Sequence, residues 1–147
     1  MAEKSKMQLI KEYIESCPLL EGDKINVDYL DDEVYSYSID RTPVQPEVKK
    51  FTDGCGGKYQ IAFDFTVTAP ISSRVVTNLA NSKFGEDFME WIKTQNMLRN
   101  LPDIEGAFSI ECISPSYILQ KTETTAIYII QINFTYYELS YPQIASL

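Results

Sequence analysis

Histidine is missing from this 147-residue sequence. With it goes the side chain that most often serves as a general base and as a transition-metal ligand. Basic charge is also short: 13 Lys and Arg stand against 21 Asp and Glu, a formal net charge of −8. A protein of that balance is poorly suited to bind nucleic acid by neutralising phosphates, or to dock on anionic lipid. No apolar run approaches the ~18 residues of a membrane-spanning helix. The opening MAEKSKMQLIKEYIES is too polar and acidic to read as a signal peptide. Cysteine is sparse. Cys17, Cys55 and Cys112 are far apart and odd in number, which suits free thiols in a reducing cytoplasm rather than a disulfide framework.

What the sequence does have is aromatic and β-branched bulk, including ten Tyr and seven Phe. The stretch AIYIIQINFTYYEL, Ala126 to Leu139, has no Gly, Pro or positive charge. Tyr128, Ile130, Ile132, Phe134 and Tyr136 alternate with Gln131, Asn133 and Thr135. Period two is the mark of a strand with one buried face, here the long central strand of an antiparallel sheet. Lys58 to Thr68 repeats the pattern, with Tyr59, Ile61, Phe63, Phe65 and Val67 on one face. Gln60, Ala62, Asp64, Thr66 and Thr68 lie on the other, and Pro70 ends the run. Val34 to Ile39 reads as a further strand with Tyr35, Tyr37 and Ile39 aligned. Pro43 and Pro46 then demand an edge or a loop, after which Val44 to Phe51 is expected to resume pairing beside Val34 to Ile39. Glu47 to Phe51 and Lys58 to Thr68 also form the arms of a hairpin around TDGCGG, Thr52 to Gly57. The glycines there supply positive φ, and Cys55 sits exposed at the tip. Phe108 to Ile113 is a short strand with Phe108, Ile110 and Cys112 on one side, and Tyr117 to Gln120 extends it.

Helical spacing appears twice. Leu9, Ile10, Tyr13, Ile14 and Cys17 define one face of a helix from Lys4 to Ser16, stopped by Pro18. Ser72 is expected to cap a short helix through Ala80, and Asn81 or Ser82 a longer one to about Leu98. In the second, Phe84, Phe88, Trp91 and Ile92 keep the rhythm of a core-facing stripe. The element order implies one α+β domain: a mainly antiparallel sheet with an N-terminal helix and a helical insertion packed on one face.

Chemistry-bearing clusters are scarce. From Glu21 to Asp53 nine acidic residues face four basic ones, so this segment holds −5 of the total charge. Its densest part, Asp31, Asp32 and Glu33, lacks the spacing, central Gly and distal Glu of an EF-hand loop, and reads as a solvated connector. TDGCGG is too short for a P-loop or a dinucleotide-binding turn. Cys55 has no evident activating base. The sequence therefore nominates no catalytic residue, no metal ligand and no cofactor.

One resemblance goes further. YSIDRTPVQPEVKKFTDG (Tyr37 to Gly54) and FGEDFMEWIKTQNMLRNLP (Phe84 to Pro102) carry it, together with SCPLL (Ser16 to Leu20) and IYIIQINFTYYE. They resemble a protein family of phages and phage-like particles of Gram-positive bacteria, often labelled minor capsid protein. That family is similar to the tail terminators, or tail completion proteins, of long-tailed phages. The resemblance covers nearly the whole chain. It implies a sheet flanked by helices, assembled as a hexameric ring on the last ring of the tail tube. There it would stop polymerisation and offer a surface to the head connector. The implied partners are further copies of the chain, the tail tube protein, and the sheath and head–tail connector proteins. DNA would pass through without specific binding, and no membrane is involved. The protein would sit in the host cytoplasm during assembly and then at the head-proximal end of the tail of a virion or bacteriocin-like particle. On our own reading, Thr52, Asp53, Gly54, Cys55 and Lys58, with the N-terminal helix, are expected at a subunit or tube interface. Asp31, Asp32, Glu33 and Asp64 are expected to face the channel, where negative charge repels phosphate. The alternatives are a head–tail connector component or a tail tube protein of the same particle, and, as a third class, an enzyme.

Overall fold

The computed structural model describes residues 4–52 and 54–139. Asp53, expected at a subunit or tube interface, and the segment 140–147 lie outside the described residues. Two long antiparallel strands, β4 (Gly56–Pro70) and β7 (Thr125–Leu139), pair along their whole length, from Gly56 opposite Leu139 to Pro70 opposite Thr125. The two alternating stretches of the sequence thus form the centre of a seven-stranded sheet. On the outer side of β4 lie β2 (Ser36–Thr42) and then β3 (Glu47–Lys50), one after the other down the same strand. On the outer side of β7 lie β5 (Ala107–Cys112) and β6 (Tyr117–Lys121) in the same way. A short strand, β1 (Ile25–Val27), pairs parallel to β2.

Both helices, α1 (Lys6–Glu15) and α2 (Val75–Met97), pack on the face carrying the large apolar side chains. Phe63, Phe65, Ile132 and Phe134 from the central strands meet Ile10 and Ile14 of α1, and Phe88 and Ile92 of α2, in one buried cluster. Phe88 lies over Phe65 with ring centroids 4.4 Å apart. Ser5 caps α1, its hydroxyl accepting from the Gln8 N–H at 3.1 Å. Among the described residues no helix is long and apolar enough to cross a membrane.

Several details differ from the sequence expectation. The helical insertion is one helix, not two. Ser72 lies ahead of it and accepts from the Arg74 N–H. Asn81, expected as a cap, lies within α2, and its amide reaches back to the Pro70 carbonyl at 2.7 Å. With its side chain engaged there, Asn81 does not compete for the helix backbone. Val34 and Tyr35 lie before β2. Tyr35 turns at φ 62° and is exposed, because the connector bends there to enter the sheet. Residues 47–50 pair with β4 rather than beside β2, since β2 already occupies the upper part of that same flank. Phe108 does not share the Ile110 face: a register shift between Ala107 and Ser109 turns it outward. β1 arises inside what reads as a plain acidic connector. Trp91 is only half-buried, packed against Tyr13 at 5.5 Å and Phe88 at 6.1 Å.

Candidate assembly surfaces

Among the described residues no helix covers the other sheet face, which is mainly polar, although Ile127 and Ile129 also lie on it and Ser38, Thr66 and Thr135 are buried there. Its central row is Asp40, Asp64 and Gln131, paired directly across three strands. Around it stand Ser38, Thr42, Gln60, Thr66, Asn133 and Thr135, with Glu111 exposed at one side. Their bonds run within the face. The Ser38 hydroxyl donates to Asp40 at 3.0 Å, the Asn133 amide donates to Gln60 at 3.3 Å, and the Ser109 and Thr135 hydroxyls meet at 2.6 Å. The Asp64 carboxyl is pushed above the usual carboxylate range, first by burial and then by the facing Asp40 charge; a Thr42 hydrogen bond offsets part of this. Like charges opposite each other on a sheet are destabilising.

Of the acidic residues expected at a channel, Asp64 lies at the centre of this face. Asp31 is tied to its upper rim: the Thr68 hydroxyl donates to the Asp31 carbonyl at 2.8 Å, and the Asp31 carboxylate accepts from the Glu33 N–H. Asp32 borders a hollow at the same rim with Lys121, Thr125 and Ile127. Glu33 is exposed beside them. Asp31 to Glu33 thus stand at one end of the face and Asp64 at its centre.

The glycine turn closes the opposite end. The Phe51 N–H donates to the Gly56 carbonyl at 2.8 Å. Gly56 has φ 123°, and a Cβ there would run into the Glu138 carbonyl, so only glycine fits. Thr52 and Gly54 are exposed, whereas Cys55 is half-buried rather than displayed at the tip. Lys58 does not reach outward either. Its ammonium lies 4.8 Å from the Phe108 ring centroid, and Phe108 stands edge-on to Tyr137, which stacks on Phe51. The base of the turn is therefore an aromatic cluster with a cation laid over it.

The outer edges of the sheet are unequal, a feature the sequence reading missed. On β5 the Ile110 N–H donates to the Asn96 side chain at 3.0 Å, and Arg99 donates to the Phe108 carbonyl at 2.6 Å. The end of α2 thus seals that edge. On β1 the Ile25 N–H is taken by the Glu15 carboxylate at 2.9 Å. Burial opposes ionisation of Glu15, but this bond and the neighbouring Lys11 outweigh it and hold its carboxyl below the ordinary value. Among the described residues no side chain or loop bonds the outer edge of β6, whose five residues are all exposed.

Among the described residues no group of three or more Cys, Asp or Glu is placed to hold a metal ion. Burial pushes the Cys112 thiol up to about 12 and raises Cys17 as well, the opposite of what an attacking thiolate needs. What fold and surfaces define together is an α+β sheet protein with one face filled by helices, one mainly polar face with acids at its middle, and sealed and unsealed edges. No protein-family model matches the chain, and no curated protein matches it.

Proposed function

We propose that this chain is the tail terminator of a phage or phage-like particle, forming a ring that caps the tail tube. The observation that carries this reading, beside the family resemblance, is the open sheet face. It bears Asp40, Asp64 and Glu111 among short Ser, Thr and Asn side chains, with Lys49 and Lys58 confined to its glycine-turn end. The acidic middle of such a face makes a channel wall past which DNA slides without being held. The helices then lie on the outside of the ring. The glycine turn, with Thr52 and Gly54 exposed, projects from one end of the sheet towards the tube. The Asp31–Glu33 rim lies at the other end, towards the head connector. Each part is a binding surface and none needs catalysis.

A tube of stacked like rings has a heterologous interface with no intrinsic stop. A terminator must match the tube on one side and differ from it on the other, and the two ends of this sheet do differ. Adding the purified protein to its tube protein during polymerisation is therefore expected to shorten the tubes and leave a distinct ring at one end. Tubes that incorporate it repeatedly along their length would instead mark it as a tube protein. Tubes unaffected at saturating protein would favour the connector reading.

A further inference from the structure

The two outer strands at the Pro70 end of the sheet stand at the same level. Asn26, Ser38, Thr66, Ile129 and Tyr117 form one unbroken row of paired residues from β1 to β6. They also run in opposite directions. β1 is parallel to β2 and so antiparallel to β4, whereas β6 is antiparallel to β7 and so runs with β4. Two copies set side by side in the same orientation would therefore bring β6 of one against β1 of the other as an antiparallel pair, with no slip along the strands. A contact without slip lets a ring close, whereas a slipped one winds into a filament.

The flanks are complementary as well. Tyr117, Ile118 and Leu119 are three consecutive exposed apolar residues on an unsealed backbone edge, a template for strand addition. Beside β1 stand the exposed Val27 and Tyr29. The Asp28 N–H turns inward to the Ile39 carbonyl, so by alternation Ile25 and Val27 face outward; Glu15 holds the Ile25 N–H, which leaves the Val27 N–H and carbonyl for a partner strand. Lys121 is exposed at the end of β6 and Arg74 in the segment that the Ile71 N–H ties to the Thr124 carbonyl, against one exposed acid, Glu123. Glu21, Asp23 and Asp28 outnumber Lys24 at the β1 side. Opposite charges across a contact set its register and exclude other pairings. The β5 edge is closed to this role by Asn96 and Arg99.

We propose that β6 adds to β1 of a second copy, head to tail, and that this strand addition joins the subunits of the ring. The proposal rests on the ring reading above and names the surface that makes it. The test is site-specific photocross-linking with Leu119→p-benzoylphenylalanine, and with Glu111→p-benzoylphenylalanine beside the sealed edge as the control. Both proteins are assembled to high concentration and mapped by mass spectrometry, with particle shape followed by negative-stain imaging. The expected result is an intermolecular link from position 119 to residues 25–30 of a second copy, in a ladder ending at one closed species, and none to that segment from position 111. Links from 119 to 119 would mean two-fold pairing and overturn the proposal. Rings whose links map elsewhere would overturn it while leaving the terminator reading standing. A protein that stays monomeric at every concentration and gives no link would overturn it too, and tube capping would then be judged by the polymerisation assay alone.

Discussion

At the scale of single residues, the helix-covered face depends on a few aromatic contacts. Phe88 is fully buried and stacked on Phe65. Phe88→Ala is expected to cost about 3–5 kcal/mol, the range for a large core aromatic. Trp91 follows the same helical rhythm in sequence but covers the core from its margin. Trp91→Ala is expected to cost less, about 1.5–3 kcal/mol. Urea unfolding of the two variants checks the order; an equal or larger loss at Trp91 would contradict it. On the open face the sign is reversed. A carboxyl whose folded pKa lies above its unfolded value stabilises the fold when protonated, and that contribution disappears as pH rises through the folded value. Asp64 is such a group. Asp64→Asn is expected to raise stability at neutral pH by about 0.2–1 kcal/mol, the scale of a like-charge cross-strand pair. The gain should fade in acid, towards the ordinary Asp value of ~3.9. Thermal melts at neutral and acid pH read this directly, and a loss of stability at neutral pH would mean that Asp64 makes a favourable contact outweighing its repulsion by Asp40.

At the scale of elements, the edge seals are the most testable feature. Asn96→Ala removes the acceptor for the Ile110 N–H and is expected to cost about 1–2 kcal/mol. Hydrogen exchange at Ile110 should accelerate while the β4–β7 amides stay protected; unchanged exchange would show that α2 covers the edge without this bond. Much of the fold was legible in the sequence. β4 and β7 alternate over so many residues that their period, faces and central place could be read, and Pro18 marked the end of α1. Other elements were hidden for physical reasons. β1 is three residues long inside an acidic run, too short to show a period. Asn81 reads as a cap because its side chain usually competes with the helix backbone, but here the Pro70 carbonyl engages it. A one-residue register shift turned Phe108 to the other face. The sealed and unsealed edges could not be read at all, because Asn96 and Ile110 meet only after the chain has folded back. Of the candidate site, Asp64 was placed on the polar face by alternation alone, whereas the approach of Asp31 and Asp32 to the rim of that face depends on tertiary contacts with Thr68 and the β6–β7 turn.

At the scale of the whole molecule, the asymmetry is threefold: helices on one face and polar side chains centred on Asp40 and Asp64 on the other, a glycine turn at one end and an acidic rim at the other, and outer strands that match in level and oppose in direction. The proposed ring, with an acid-lined bore and two unlike ends, would use all three. If it ends tail growth, deleting the gene and measuring the distribution of tail lengths in electron micrographs of the resulting particles will show it. Tube initiation and baseplates should remain intact while tails become overlong and heterogeneous and fail to join heads where the particle has them. Tails of normal, uniform length in the deletion strain would contradict the terminator role.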